Sequence, residues 1–201
     1  QIDVPLPLRL DRVRRIRALV DAHGAALADA VQADFGVRSP RLTEVADFFV
    51  LRSLLGDLER HTGAWMKTRR VRTPIYLQPA SGHIQRQPLG VVGVIGPWNY
   101  PLQLTLGPAA TALAAGNRVM IKPSELTPHT SAQLAALVAG IGCPTTVVYA
   151  DPPQPYFPEP LRSRRASLLP DGQLHVIAGT HHLHMEDPAR VAMLIGSFLR
   201  A

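Results

Sequence analysis

Pro88-Leu-Gly-Val-Val-Gly-Val-Ile-Gly-Pro-Trp-Asn-Tyr-Pro101 is the stretch on which the fold turns. Val91 to Ile95 is short and continuously apolar, a strand candidate. A Gly-Pro loop follows, then an Ala-rich helix from about Gln103 to Ala115, then a second apolar strand, Arg118 to Ile121. Strand, helix, strand at this spacing predicts a parallel unit. Thr127-Pro128 supplies an N-cap and a first-turn proline for a further helix running to about Ala139. The order β-α-β-α implies a partial Rossmann-like sheet.

Upstream the pattern is helical. Leu10, Val13, Ile16, Leu19 and Val20 mark one amphipathic helix, Ala25 to Ala33 a second ended by Gly36, and Leu42 to Trp65 a longer third. Arg69, Arg70 and Arg72 close this segment, and Thr73 to Gln87 reads as two short strands of a hairpin around Pro79-Ala80-Ser81-Gly82. Downstream, Thr145 to Ala150 is a strand candidate, Arg162 to Leu169 a helix, Gln173 to Ala178 a strand, and Asp187-Pro188 the cap of a final amphipathic helix. The expected class is α/β: helices and a β-hairpin, the partial parallel sheet, and a β-α-β-α tail. The expected segments are 1–72, 73–140 and 141–201.

Composition narrows the partners. The 201 residues are 46% hydrophobic and 18% charged, which excludes a disordered tail or a fibre. The formal charge of +6 invites a nucleic-acid reading, but the excess is diffuse: residues 1–72 hold 13 basic against 9 acidic side chains, and residues 143–201 hold 5 of each. The Arg-rich stretch Arg9 to Arg17 alternates with apolar residues at helical spacing and reads as a solvated face, so no nucleic-acid partner is expected. Gln87 to Asn117 carries no charge, yet Pro88, Pro97, Pro101 and Pro108 break it into pieces too short to span a bilayer, and no membrane partner is expected. No signal peptide is read, and the single cysteine, Cys143, suits a reducing cytoplasm.

The Pro88–Pro101 run, with Ala114-Ala-Gly-Asn-Arg-Val-Met-Ile-Lys-Pro-Ser-Glu-Leu-Thr-Pro128, resembles the aldehyde dehydrogenase superfamily, and residues from about 8 to 139 are most similar to its coniferyl-aldehyde branch. The resemblance implies an NAD-dependent oxidoreductase: a cysteine thiolate attacks an aldehyde, hydride passes to the nicotinamide, and a glutamate activates water to release the acid. It implies that Asn99 donates its side-chain amide to the oxyanion, a role needing a neutral donor on a rigid loop; the plainer reading is a loop-capping asparagine. It implies that Ile95, Gly96, Pro97 and Trp98 line the cofactor, with Gly96 permitting close backbone approach. Lys122, Ser124 and Glu125 would belong to the same site, Lys122 and Glu125 at the adenosine ribose. A carboxylate there favours NAD over NADP, whose 2′-phosphate meets like charge; the plainer reading of the two charged residues is a surface ion pair.

The chain departs from that pattern in two places. The family's thiol stands in Gly-Gln-x-Cys and its base in Glu-Leu-Gly-Gly, and neither string occurs here. Cys143, in Ile-Gly-Cys-Pro-Thr, reads as a small buried apolar residue. The tail, from about 144 to 201, resembles instead the C-terminal end of an α/β-hydrolase, with His181 in the place of the histidine that follows the last strand and Asp151 near the place of its acid. No Gly-x-Ser-x-Gly occurs. His182, His184, Glu186 and Asp187 do not form a convincing metal set, and Asp187 is better explained as an N-cap. The expectation is an aldehyde dehydrogenase family protein joined near residues 139–144 to a hydrolase-like tail, with NAD as cofactor, a small aldehyde as substrate, no metal, and no activity from this chain alone. The alternatives are a hydrolase remnant and a non-catalytic NAD-binding module.

Overall fold

The computed structural model describes residues 4–139, 146–151, 173–179 and 186–200. The chain divides into two compact units, Gln1–Ser131 and Ala132–Ala201.

In the first unit, helix α1 (Leu6–Phe35) is one run where two helices are expected; the break falls at His23, whose φ of −119° and ψ of 16° leave the helical region without ending the helix. It stops at Gly36, where φ is +68° and the N–H returns to Gln32 O. Short α2 (Pro40–Thr43), a π-helical turn (Glu44–Phe49) and α3 (Val50–Trp65) form a continuous helical stretch where the third helix is expected. Val13, Val20, Leu27 and Val31 of α1 and Leu51 and Leu55 of α3 are wholly buried, and both helices pack on α4 (Gln103–Ala114). Each fully buried aliphatic side chain contributes about 1.5–3 kcal/mol, so this three-helix contact is the main hydrophobic source of stability in the unit. Gly107 allows the close approach of α3 to α4: a Cβ there would lie 3.1 Å from Leu54 Cδ2.

Against α4 lies the parallel pair expected from the sequence, β3 (Val91–Ile95) and β4 (Arg118–Lys122), in register from Val91 opposite Arg118 to Ile95 opposite Lys122. Asn117 fastens the return to β4: its Nδ2 donates to Ala112 O and its Oδ1 accepts from the Gly90 N–H at 3.0 Å. Helix α5 (Pro128–Ala139) follows β4.

Two readings need correction. The hairpin is built from β1 (Arg69–Val71) and β2 (Gly82–Ile84), antiparallel with Arg70 opposite His83, so its first strand lies before Thr73. Pro74 is the reason: its carbonyl accepts from Leu77 N–H at 3.0 Å, and Ile75–Leu77 close into a 3₁₀ turn that leaves Ile75 and Tyr76 exposed. The basic face of α1 is also less solvated than expected. Arg14 and Arg15 are exposed, but Arg9 is buried, with Nε donating to Val4 O and Nη1 to Ala114 O, the end of α4. Arg17 pairs with Glu59 of α3 at 2.7 Å.

In the second unit, β5 (Thr146–Asp151) and β6 (Gln173–Ala178) pair in parallel, from Thr146 opposite Gln173 to Asp151 opposite Ala178, and Ile177 is buried. Helix α6 (Pro188–Arg200) begins at Asp187, whose Oδ1 accepts from Arg190 N–H, the N-cap expected. The helix expected over Arg162 to Leu169 lies outside the described residues. Among the described residues no helix is long and apolar enough to cross a membrane.

Candidate functional site

The candidate positions gather at the carboxyl edge of β3 and β4, where ligands of open α/β sheets bind. β3 ends at Ile95, the register partner of Lys122, and the Gly96 N–H donates to Lys122 O at 2.9 Å. From this edge rise two loops. One carries Gly96, Pro97, Trp98 and Asn99 into α4; the other carries Ser124 and Glu125 into α5. Ile95 is 69% and Trp98 53% exposed, an apolar ledge open to a ligand. Lys122 Nζ and Glu125 Oε2 stand 2.7 Å apart and half-exposed.

Gly96 and Ser124 are engaged within the protein. A Cβ on Gly96 would collide with Thr105 Oγ1, a buried hydroxyl without a hydrogen-bond partner, so the close approach that the glycine permits is made by the first turn of α4. Ser124 is buried; its Oγ accepts from the Leu126 N–H and its carbonyl from Ser131 Oγ at 2.7 Å, which shapes the β4–α5 loop.

Asn99 is exposed, with no hydrogen bond to its side chain among the described residues, and its backbone is held. Arg38 Nη1 donates to Asn99 O at 2.6 Å while Nη2 meets Asp47 Oδ2 at 2.8 Å. The guanidinium lies 4.8 Å from the Phe35 ring centre and 5.0 Å from that of Tyr100, and Phe35 in turn neighbours Trp98 at 6.2 Å. Asp47 is fully buried, and its Oδ1 accepts from the Gln103 N–H at the start of α4. Burial pushes the Asp47 carboxyl above the ordinary carboxylate range; the amides of Gln103 and Leu102 and the Arg38 charge pull against it. Neither residue is singled out by the sequence, since each is an ordinary charged residue beside a helical pattern. Two faint signals existed: an Arg placed just after a helix-ending glycine, and an Asp at i+4 from Thr43 on the face that buries Leu51.

Both helix N-termini at this edge already hold carboxylates. Asp47 occupies that of α4, and Asp34 that of α5, where it accepts from His129 N–H at 2.9 Å and from Thr130 N–H and Oγ1 at 2.8 and 2.7 Å. The expected cap, Thr127, is buried and turns its hydroxyl to Ser124 O at 3.4 Å instead. A helix N-terminus is the usual cradle for a dinucleotide's diphosphate; in this unit neither is open to an anion. What this edge leaves open to a ligand is the apolar ledge of Ile95 and Trp98 and the Lys122–Glu125 pair. An open groove of about 450 Å³ along α4, lined by Leu54, Val92, Gln103 and Thr111 among others, includes none of positions 95–99 or 122–125. Asp151 ends β5; Cys143, His181, His182 and His184 lie outside the described residues. Among the described residues no group of three His, Cys, Asp or Glu side chains could hold a metal.

Residues 2–150 match the aldehyde dehydrogenase family. The match runs past the expected junction at 139–144 and takes in most of β5. Over 134 residues the chain is 47% identical to the coniferyl aldehyde dehydrogenase of Pseudomonas sp. (strain HR199 / DSM 7063), covering 67% of this chain and 27% of that protein. The chain thus spans little more than a quarter of that relative's length. Among solved structures, Staphylococcus aureus AldH in its substrate-bound state superposes with a TM-score of 0.67 at 23% identity, covering 93% of this chain and 34% of that one. An NAD-dependent benzaldehyde dehydrogenase from Corynebacterium glutamicum does so at 0.57 and 21%, covering 89% and 43%. At these identities the two structures speak for the fold.

Proposed function

Because the chain belongs to the aldehyde dehydrogenase family, we propose that it carries the cofactor-side part of an NAD-dependent oxidoreductase acting on an aromatic aldehyde of the coniferyl type. The single observation that carries this reading is the carboxyl edge of β3 and β4, where the Lys122–Glu125 pair and the exposed Ile95 and Trp98 stand on the strand ends that lead to Asn99. The relative named as a coniferyl aldehyde dehydrogenase supports the substrate class, and the neighbour named as NAD-dependent supports the cofactor.

Bound NAD supplies the hydride acceptor. Glu125 accepts from ribose hydroxyls and repels a 2′-phosphate, while Lys122 beside it neutralises part of that charge. Ile95 and Trp98 offer an apolar ledge to a flat ring. Asn99 donates its amide to the oxygen that gains charge when a thiolate attacks the aldehyde carbonyl. The thiolate and the water-activating base have no matching motif in this sequence, so the chain by itself binds the cofactor and does not complete the covalent cycle. It works in the cytoplasm on a small diffusible aldehyde, with neither nucleic acid nor membrane as partner.

The test is titration of the full chain with NAD, followed by tryptophan fluorescence. Quenching should saturate, vanish in Trp98→Phe, and need about ten-fold more NAD in Glu125→Ala, with NADP binding more weakly than NAD. No binding of NAD at millimolar concentration would overturn the cofactor reading. NAD-dependent oxidation of coniferyl aldehyde by the chain alone would overturn the expected inactivity. Ester hydrolysis abolished by His181→Ala would instead assign the tail to the α/β-hydrolases.

A further inference from the structure

We infer that Arg38 and Asp47 are positioning residues for Asn99: one buried ion pair grips the β3–α4 loop at two points and sets the direction in which Asn99 presents its amide. The inference rests on reading Asn99 as the oxyanion donor. Arg38 holds the loop at Asn99 O, at 2.6 Å, and Asp47 holds it at the Gln103 N–H, at 3.0 Å. The two side chains are themselves joined at 2.8 Å. The segment from Asn99 to Gln103 is therefore spanned by a single rigid brace, and the Tyr100 ring lies on the guanidinium between the two points.

The chemistry of the brace is directional. A buried leucine or methionine could fill the same volume, but neither could donate to a carbonyl on one side and accept from an amide on the other. Nor is the arrangement the one stability alone would favour. Arg38 Nε is buried without a partner, and Asp47 is wholly removed from water, so both groups carry desolvation costs that an apolar pair would avoid. What the pair provides and an apolar pair does not is a fixed backbone at Asn99. The two side chains also stand where a brace must be anchored. Arg38 lies in the short connection between α1 and α2, and Asp47 in the π-helical turn, so neither belongs to the loop it holds.

The test uses the full 201-residue chain labelled with ¹⁵N. In Arg38→Lys, which keeps the charge opposite Asp47 but loses the two-pronged donor, the Asn99 and Tyr100 backbone amide signals should shift, while the Leu102 and Gln103 amides keep their protection from hydrogen exchange. In Arg38→Met/Asp47→Leu, where both charges are gone, the unfolding midpoint and the protection of Leu27, Leu51 and Leu55 should match the parent, while the Leu102 and Gln103 amides exchange about ten-fold faster or more. An unchanged Asn99 signal in both variants would overturn the inference and leave an ion pair that is only structural. Because neither measurement involves cofactor or aldehyde, that failure would leave the reading of Asn99 itself standing. The double variant also covers the case in which Arg38→Lys alone does not fold.

Discussion

Helices α5 and α6 begin with similar dipeptides, Thr127-Pro128 and Asp187-Pro188, yet their amino ends are completed in different ways. At α6 the cap is local: Asp187 accepts from the N–H of Arg190, three residues on. At α5 the adjacent threonine is buried and turned into the preceding loop, and the open N–H groups are met by Asp34, a residue of α1 about a hundred positions earlier in the chain. α4 follows the second pattern, with Asp47 at its amino end and Arg9 at its carboxyl end. The difference separates two kinds of helix: one whose amino end is capped from its own flank, and two whose amino ends are capped by residues of the earlier helical segment. A capping residue satisfies an N–H wherever it comes from, so the sequence signal is reliable only where no buried neighbour competes for the same position.

The contrast can be broken most sharply at Arg38. Removing one partner of a buried ion pair leaves an uncompensated charge, so Arg38→Met should cost about 3–5 kcal/mol in urea unfolding, with most of it returned by Asp47→Leu in the same chain. Gly96→Ala comes next, at about 1–3 kcal/mol from collision with Thr105 Oγ1, and Thr105→Ala should restore most of the loss. A helix end supplied from afar should matter to the fold of its unit as a local one does not. Asp34→Ala should cost about 1–2 kcal/mol, and Thr127→Val distinctly less, whereas Asp187→Ala should reduce helicity at α6 alone by about 0.5–1 kcal/mol, read by exchange of the Arg190 amide. Equal effects for Asp34→Ala and Thr127→Val would erase the distinction. The smallest effect is a pH dependence. The folded-state pKa of Asp47 lies above its unfolded one, so the native state takes up that proton first as pH falls; the parent should gain stability relative to Asp47→Asn on acidification through that window and lose it as pH rises.

Much of the architecture is legible in the sequence because it rests on local pattern. The apolar runs at 91–95 and 118–121, separated by an alanine-rich stretch, permit little else than a parallel strand-helix-strand unit, and the six residues from Gln173 to Ala178 form the strand their composition suggests. The hairpin is read one proline too late, because the consecutive β-forming residues Ile75 to Leu77 look like a strand until Pro74 closes a turn there. Of the candidate site, the positions on the strand ends can be read from motif. Their supports cannot: Arg38, Asp47, Asp34 and Arg9 act across 61, 56, 96 and 105 positions, and nothing in a local window distinguishes them from solvated charges.

The origin of those four side chains has a consequence for how the chain is made. Arg9, Asp34 and Asp47 all precede the helices they complete, and Arg38 precedes the loop it holds. A ribosome therefore delivers the caps before it delivers α4 and α5, and each of those helices emerges to find its end groups already waiting on a helical layer that can form from residues 6–65. Synthesis in the opposite sense would expose two uncapped, largely apolar helices with nothing to finish them. The vectorial order of translation thus relieves a folding problem that the long reach of these contacts would otherwise create.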